Sequence, residues 1–376
     1  MICMFTQYNP VHLVFGSGTV TDIGSLVREH GGTALIVTGR SSMKKTGVLD
    51  RVVGSLDEAG LESMVFDQVE PNPSFPTVDA GAEMAKECDL VIGLGGGSPM
   101  DAAKAIAIAA ANNRPIADFY DGEEPLRSMP IFAIASTAGT GSEVDRYFVL
   151  TDPTSKEKHG WGHRSTYPEA AIVDPEVMAT MPARLTAATG LDAFFHALEA
   201  SISLKATPLS DLYAREALRR IIGSLPMACR NGDDMAARSS MALASTLAGM
   251  AIDAGRVTML HGLEHPVSGH FDVAHGAGLA ALSVAYVEHV GRACPERFAH
   301  VATLFDHGDE DPVAGTVQGL RGLLRAVDMD MGLSDLGVPA DMVDRLTEDA
   351  LKSGQTAATP CELKKGDIRE IYRQSL

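Results

Sequence analysis

The segment 90–111 constrains the fold more than any other part of the chain. A continuous apolar run at 90–92 leads into three consecutive glycines at 95–97, and an alanine-rich helical pattern follows from Asp101 to Ala111. Ser98 is the predicted N-cap of that helix and Pro99 its first residue. Free N–H groups and the helix dipole make such a loop an anion site. A tight turn without a ligand explains the glycines alone equally well, and the spacing matches neither G-x-G-x-x-G nor a Walker A loop.

The rest of the first half repeats this alternation of strand and helix. The predicted strands, which are short apolar runs, are 34–38, 64–66, 90–92 and 131–135. The predicted helices, which show apolar residues at helical spacing or alanine-rich composition, are 48–59, 77–86 and 101–111. Alternation of this kind predicts a parallel sheet that is covered by helices on both faces.

The second half has a different character. From Pro182 onwards the sequence contains no convincing strand pattern. The helix-compatible segments there are 185–203, 209–222, 235–253, 277–290 and 315–327. We therefore predict an α/β domain over 1–181 and an all-helical domain over 182–376.

Composition and charge exclude several classes of protein. Hydrophobic residues make up 45% and charged residues 21% of the 376 residues, which is typical of a globular protein. The net charge of −18 disfavours a nucleic-acid partner, because phosphate recognition needs clustered Lys and Arg. The sequence shows neither a signal peptide nor an apolar stretch long enough to span a membrane, so we expect a cytoplasmic protein without a membrane partner.

The cysteines indicate a reducing compartment. They are odd in number, and none forms a C-x-x-C pair, which favours free thiols over a disulfide framework. The five are Cys3, Cys88, Cys229, Cys294 and Cys361.

Histidines and one carboxylate suggest a metal site in the helical half. Asp192 and His196 are four residues apart in an otherwise apolar helix, and four histidines lie between 261 and 275. A carboxylate and an imidazole on a buried helix face need a partner, because burying charge is costly. One aspartate and three histidines would suit Fe(II) or Zn(II). The alternatives are a hydrogen-bonded pair for the first two residues and scattered surface positions for the four histidines.

The residues described so far, with others in the same order, resemble the iron-containing, or group III, alcohol dehydrogenase family. The resemblance spans essentially the whole chain. Its motifs are YNP at 8–10, FGSG at 15–18, PNP at 71–73, GGGSPMD at 95–101, STAGTGSEV at 136–144, TGLDA at 189–193 with HA at 196–197, HGLEHP at 261–266, HG at 275–276 and DIREIY at 367–372.

The resemblance implies a Rossmann-like dinucleotide-binding domain followed by a helical bundle, with the active site in the cleft between them. It implies that the metal ligands are Asp192, His196, His261 and His275. His265 matches the histidine beside the nicotinamide, whereas His270 has no assigned role. The positions implied to bind the cofactor are Asn72, Gly96, Gly97, Ser98, Asp101, Thr137, Thr140 and Lys158.

The end of the first long strand bears on the choice of cofactor. Many NAD-preferring family members have Asp there, whereas this chain has Gly39 followed by Arg40 and Ser41, which is similar to the butanol-dehydrogenase-like branch. An Asp would repel a 2′-phosphate, whereas Arg40 and neighbouring hydroxyls can hold one. We therefore expect NADP(H) to be favoured over NAD(H). The alternative is that Arg40 is a solvated surface residue.

The predicted function is metal-dependent, NAD(P)-linked interconversion of a primary alcohol and its aldehyde, with His265 as the proton-relay residue. Tyr147 stands where some diol-oxidising members carry Asn, which argues against a small-diol pocket. Two other interpretations are a lyase of the related dehydroquinate-synthase-like fold and a non-catalytic metal- or nucleotide-binding protein. The resemblance also implies a homodimer or a higher homo-oligomer.

Overall fold

The computed structural model describes residues 4–308 and 311–376, so that Cys3 lies outside the described residues. The chain divides into two compact units. The N-terminal unit is Thr6–Thr180, and the C-terminal unit is Met181–Leu376, apart from residues 309–310, together with residues 4–5. The four cysteines within the described residues are free thiols, as predicted. Among the helices of the described ranges, none combines the length and hydrophobicity that a membrane span requires.

The N-terminal unit contains a six-stranded parallel sheet in the order β1-β8-β5-β4-β2-β3 and a separate antiparallel hairpin, β6-β7. Its strands are β1 (His12–Phe15), β2 (Thr33–Gly39), β3 (Glu62–Val69), β4 (Leu90–Gly95), β5 (Ile131–Ala135), β6 (Tyr147–Thr151), β7 (Lys158–Gly162) and β8 (Ala170–Val173). Its α-helices are α1 (Ile23–Val27), α2 (Ser42–Lys45), α3 (Val48–Glu58), α4 (Phe75–Ala85), α5 (Gly97–Asn112), α6 (Ile116–Tyr120) and α7 (Pro175–Met178).

The sheet is buried on both faces, which explains the continuous apolar runs. Successive residues of β2 point to opposite faces: Ala34 and Ile36 belong to one buried cluster, and Leu35 and Val37 belong to the other. All four side chains are completely buried. Because a buried Val, Leu or Ile side chain contributes about 1.5–3 kcal/mol, replacing Leu35, Ile36 or Val37 by a polar residue would destabilise the sheet.

Strand order places a ligand-binding position at the carboxyl edge of β2 and β4. The chain passes from β2 to β3 on one side and returns to β4 on the other, so β2 and β4 are neighbours at a topological switch point. Ligands of open α/β sheets bind outside the carboxyl ends of the strands at such a point. Gly39 ends β2 and Gly95 ends β4, so both termini face this position.

The start of α5 corrects one prediction. The helix begins at Gly97, with Gly96 as its N-cap, so Ser98 is not the cap and Pro99 is the third helical residue. Pro99 is tolerated there because the N–H groups of the first turn have no partner within the helix. The correction brings the glycines themselves into the first turn.

Within its described residues, the C-terminal unit contains helices and no strand, as predicted. Its α-helices are α8 (Ala183–Ile202), α9 (Pro208–Arg230), α10 (Met235–Gly255), α11 (Met259–Phe271), α12 (His275–Gly291), α13 (Pro295–Leu304), α14 (Pro312–Ala326), α15 (Val343–Ala350) and α16 (Lys365–Gln374). Helix α8 is almost entirely buried, and it carries the first two predicted metal ligands.

Candidate metal centre and nucleotide loop

The Asp192 carboxylate lies at the centre of a histidine cluster in the C-terminal unit. Asp192 and His196 are one helical turn apart on buried α8, and their side chains share a face, as the spacing predicts. The Oδ1 atom of Asp192 lies 3.6 Å from Nε2 of His196. It also lies 3.7 Å from Nε2 of His261 on α11 and 3.7 Å from Nε2 of His275 at the start of α12.

Glycine allows α12 to approach α8 closely enough for this arrangement. A Cβ atom at Gly276 would lie only 1.9 Å from the carbonyl oxygen of Ala188 on α8. A side chain there would push α12 away and withdraw the adjacent His275 from Asp192. Gly276 is therefore required by the packing that assembles the cluster.

The atoms that face one another have the spacing of ligands around a single ion. Donors about 2.1 Å from a tetrahedral ion lie about 3.4 Å apart, close to the separations of 3.6–3.7 Å from Asp192 Oδ1. The ligand atoms of Asp192, His261 and His275 all lie within 4.8 Å of one another. Asp192 Oδ1 and His261 Nε2 are buried without a hydrogen-bond partner among the described residues. A cation would satisfy both atoms, so the residues present fit a divalent metal.

His196, the fourth predicted ligand, lies beside these three residues but is not in the group whose ligand atoms are all within 4.8 Å of one another. Its ring stacks on that of His261, with ring centroids 4.7 Å apart and planes inclined by 11°. A second group, comprising Glu264, His265 and His275, also has ligand atoms within 4.8 Å of one another. We favour the set around Asp192, because its donor nitrogens face one carboxylate oxygen and because Nδ1 of His275 is already bonded to Glu264.

Two buried glutamates, which the sequence analysis missed, bond to the Nδ1 atoms of His261 and His275. Oε2 of Glu199 bonds to Nδ1 of His261, and Oε2 of Glu264 bonds to Nδ1 of His275. Both glutamates are completely buried. Carboxylates in this position orient metal-binding histidines and fix the tautomer that presents Nε2 to the ion. Their signal was present in the sequence, because Glu199 is one helical turn beyond His196 on α8.

Glu199 is itself held by a network of donors. Its Oε1 atom accepts hydrogen bonds from the backbone N–H of Thr258 at 3.0 Å, from that of Leu260 at 3.1 Å and from the hydroxyl of Thr258 at 2.5 Å. The Thr258 hydroxyl also lies 2.8 Å from that of Tyr286. These bonds fix the start of α11 and, with it, the position of His261.

Electrostatics within the cluster distinguish the histidines. Burial lowers the pKa of His196 to about 4, so this imidazole is neutral at pH 7, as a metal ligand must be. Burial acts in the same direction on His261, but the carboxylates of Glu199 and Asp192 outweigh it and raise its pKa to about 10. Burial raises the pKa of Asp192, but His196 and the other two imidazoles shift it below its usual value. A metal would therefore displace a proton from His261.

The two remaining histidines of α11 have different surroundings. The ring centroid of His265 lies 6.4 Å from that of His261 and 5.8 Å from that of His275, so it borders the cluster. His270 lies five residues after His265, and its Nε2 atom is 2.9 Å from Oδ2 of Asp349 on α15. His270 is thus a partly buried residue that is paired with a carboxylate.

The glycine loop of the N-terminal unit contacts the two threonines assigned to the cofactor. A Cβ atom at Gly96 would lie 3.1 Å from Oγ1 of Thr137, and one at Gly97 would lie 2.5 Å from Cγ2 of Thr140. Only glycine therefore lets this loop pack so closely. The structure brings these four residues together, with Ser98 in the first turn of α5.

Asp101 connects α5 to the loop that follows β5. Its Oδ1 atom accepts a hydrogen bond from the Ser142 hydroxyl at 2.7 Å, and Oδ2 accepts one from the backbone N–H of Val149 at 2.9 Å. Burial raises the pKa of Asp101 to about 6, against the opposing effect of Lys104. Buried Lys104 donates hydrogen bonds to Ser142 at 2.8 Å and to Asp145 at 2.9 Å.

Asn72 and Lys158 are connected through β6. The backbone N–H of Thr151 donates to the carbonyl of Pro73 at 2.8 Å, next to Asn72. Thr151 is also paired with Lys158 across the hairpin. Asn72 has a left-handed backbone with φ of 57°. Strand β6 thus links the segment next to Asn72 with Lys158, the two residues that the sequence assigns to the cofactor on either side of it.

The end of β2, where the sequence places the choice between NADP(H) and NAD(H), is open and polar. A Cβ atom at Gly39 would lie 3.8 Å from its nearest neighbour, the carbonyl of Val69, so a side chain fits there. Arg40 and Ser41 are exposed. Lys44 on α2 does not present an unpaired positive charge to a phosphate, because it forms an ion pair with Asp67 on β3.

Sequence comparison assigns both halves of the chain to one family. The profile of the iron-containing alcohol dehydrogenases matches residues 10–175, and that of the C-terminal region of the Fe-containing alcohol dehydrogenase family matches residues 186–376. The chain belongs to the iron-containing alcohol dehydrogenase family. Membership confirms the predicted reaction class, which is alcohol and aldehyde oxidoreduction. It also confirms the use of a metal ion and a nicotinamide cofactor.

Individual members of the family align over nearly the full chain. The 1,3-propanediol dehydrogenase of Citrobacter freundii is 36% identical over 99% of both chains. The NAD-dependent methanol dehydrogenase of Bacillus methanolicus is 33% identical over 99% of this chain and 100% of its own. The crystal structure of a halo-thermophilic archaeal alcohol dehydrogenase from a Red Sea brine pool is 37% identical, covers 100% of both chains and has a TM-score of 0.96. These matches confirm the predicted fold class.

Proposed function

We propose that this family member interconverts a primary alcohol and its aldehyde, with NADP(H) preferred over NAD(H). We further propose that Asp192, His196, His261 and His275 hold one Fe(II) or Zn(II) ion. The observation that carries the proposal is the convergence of three imidazole nitrogens on one buried carboxylate oxygen, 3.6–3.7 Å away. One carboxylate and three imidazoles suit either metal.

The bound metal supplies a Lewis acid for the substrate oxygen, and the nicotinamide supplies the hydride chemistry. The chain's own residues position these groups and handle the proton. Glu199 and Glu264 keep the rings of His261 and His275 oriented, and apolar α8 excludes water around Asp192. The imidazole of His265 takes up or gives up the proton of the alcohol, since histidine titrates near neutral pH.

Binding of the cofactor rests on the carboxyl edge of the parallel sheet. N–H groups of the first turn of α5, at Gly97 and Ser98, bind the pyrophosphate together with the helix dipole. Thr137 and Thr140 line the same loop. Arg40 and Ser41 at the end of β2 bind the adenosine ribose and its 2′-phosphate.

Turnover measured at 340 nm tests the function. Protein reconstituted with Fe(II) or Zn(II) should oxidise NADPH when butanal is added, and removal of the metal by a chelator should abolish the reaction until the metal is restored. Lack of butanal-dependent oxidation with either cofactor would contradict the proposal. That result would favour the lyase or the non-catalytic interpretation.

Glu199→Gln is expected to weaken metal retention about 10- to 100-fold, because a neutral amide holds His261 less firmly than a carboxylate does. The measurement is metal affinity by competition with a chelator at fixed pH. Glu216→Gln is the matched control, because Glu216 pairs with Arg219 and Arg220 on the partly exposed surface of α9. Equal affinities in the two variants would show that Glu199 does not orient the ligand.

Gly39→Asp is expected to reverse or flatten the preference for NADPH. A charge-assisted hydrogen bond to the 2′-phosphate is worth roughly 1.5–3 kcal/mol, or about 10- to 100-fold in affinity. The new carboxylate would repel that phosphate and bind the ribose hydroxyls of NADH instead. The ratio of kcat/KM for NADPH and NADH measures the effect. Gly54→Asp adds the same charge on α3, where a Cβ meets nothing within 4 Å, and should leave the ratio unchanged. A wild-type preference for NADH would refute the assignment.

We also propose that the protein forms a homodimer. Strand β1 lies at the edge of the sheet, and an edge strand offers unpaired backbone groups to a second chain. Phe15 at the end of β1 is 38% exposed, which adds an apolar contact.

A further inference from the structure

A cavity of about 520 Å³ opens beside the carboxyl ends of β2 and β3. Arg40 lines it from the end of β2, Asp67 and Gln68 line it from β3, and Thr77 lines it from α4. Its walls therefore carry a cation and a carboxylate. The cavity lies at the same edge of the sheet as Gly39 and the glycine loop.

An irregularity in β3 accounts for the position of Asp67. Val37 pairs with Phe66, but Gly39 pairs with Val69, so β3 has one more residue than β2 over this stretch. Asp67 and Gln68 occupy this β-bulge. Bulges occur next to binding sites, where they redirect a side chain that regular pairing would place elsewhere.

The ion pair between Lys44 and Asp67 determines the charge that this cavity presents. Lys44 is 50% exposed and Asp67 is 34% exposed, so both groups remain accessible to a ligand. Hydrogen bonding from Lys44 lowers the pKa of Asp67, which is therefore ionised at neutral pH. The Thr77 hydroxyl is already bound to the carboxylate of Glu70 at 2.8 Å. Among the residues that line the cavity, Asp67 therefore provides the carboxylate that a ligand can contact.

We propose that Asp67, in the wall of this cavity, is a specificity-determining residue for the adenosine ribose, and that it weakens the preference for a 2′-phosphate that Arg40 provides without reversing it. This inference rests on the proposed NAD(P)-linked function. Gly39 leaves the end of β2 without a carboxylate, and the bulge supplies one from the neighbouring strand. Asp67 accepts hydrogen bonds from the ribose hydroxyls, repels a 2′-phosphate and occupies Lys44, which would otherwise bind that phosphate.

Asp67→Asn is the direct test. The variant should bind adenosine 2′,5′-bisphosphate about tenfold more tightly than the wild type and ADP severalfold more weakly, because it loses a like charge and releases Lys44. Calorimetry gives both affinities without any turnover. In the kinetic assay, KM for NADPH should fall and KM for NADH should rise. Lys44→Met should shift the bisphosphate affinity in the opposite direction.

A second ion pair of the same unit provides the control. Glu83 on α4 and Lys86, which follows the last residue of that helix, are exposed and lie 2.7 Å apart, so Glu83→Gln removes a comparable charge and ion pair. It should change neither affinity, and exposed pairs add little stability, so all variants should fold.

The possible outcomes separate this inference from the proposed function. If the wild type binds ADP and oxidises NADPH, but Asp67→Asn leaves the ratio of the two affinities within twofold, the role of Asp67 is refuted and the function stands. If neither nucleotide binds the wild type at millimolar concentration and no turnover occurs, both proposals are refuted. A parallel change in Glu83→Gln would show a general effect of net charge and would also refute the role of Asp67.

Discussion

Replacing His261 with alanine is expected to remove both the bound metal and the activity. Structural zinc sites bind with roughly 10–16 kcal/mol in total, so one donor of four is worth about 3 kcal/mol, on the order of 100-fold in affinity. The imidazole is also the link between Asp192 and Glu199, and its loss leaves the Glu199 carboxylate buried without that partner. Metal content by elemental analysis and the turnover of NADPH with butanal are the measurements.

A histidine of the same helix provides the matched control. His270 lies on α11 as His261 does, but it pairs with Asp349, so His270→Ala should retain stoichiometric metal. His261→Ala leaves buried Glu199 without its ion-paired partner, which lowers the free energy of unfolding by about 3–5 kcal/mol. A second ligand variant is needed in case this protein does not fold. His196→Ala then answers the question, because Nδ1 of His196 has no hydrogen-bond partner among the described residues. Stoichiometric metal in either folded variant would show that the ligand assignment is wrong.

The parts of the fold that the sequence predicts are those with a local pattern. Strands β2, β4 and β5 are buried on both faces and therefore appear as continuous apolar runs. The four-residue strands β1 and β8 are too short to show a period, and they pair with each other across more than 150 residues. The hairpin β6-β7 is not predicted either, because its small, aromatic and charged side chains show no regular alternation of apolar and polar residues.

Helix α11 shows how packing can override local propensity. It contains Gly262 and an internal Pro266, both of which disfavour a helix interior. A Cβ atom at Gly262 would lie 2.6 Å from the Ser353 hydroxyl, so glycine is needed for close packing there. The sequence therefore carries a helix-breaking signal at the segment that presents His261.

The sequence predicts the candidate metal ligands, but it does not predict the residues that orient those ligands. Asp192 and His196 stand out in an apolar helix, and four histidines cluster between 261 and 275. The resemblance to the family selects His261 and His275 among those four. Glu199 and Glu264 were overlooked, because a glutamate within a helix is ordinary and only the fold shows that both are completely buried against histidines. Likewise, the pairing of Asp67 with Lys44 depends on a bulge that no sequence pattern marks.

Replacing His265 with alanine is expected to lower turnover about 100-fold or more while leaving the metal in place, because general acid–base groups contribute roughly 10²- to 10⁴-fold. His265 borders the cluster, with its ring 6.4 Å from that of His261, but it is not among the nitrogens that face Asp192 Oδ1 at 3.6–3.7 Å. Its removal should therefore interrupt the proton route alone. Metal content and kcat, measured on the same preparation, test the two halves of this statement.

The pH profile distinguishes a proton-transfer role of His265 from a structural one. If the imidazole moves the proton, the ionisation that controls kcat in the wild type should disappear from the profile of His265→Ala, and added imidazole should restore part of the rate. A merely structural role predicts a lower rate with an unchanged pH profile and no rescue. Loss of metal from the variant would make His265 a ligand, in agreement with its place beside Glu264 and His275. Unchanged turnover would mean that the proton reaches solvent by another route, and the assignment of His265 would then have to be abandoned.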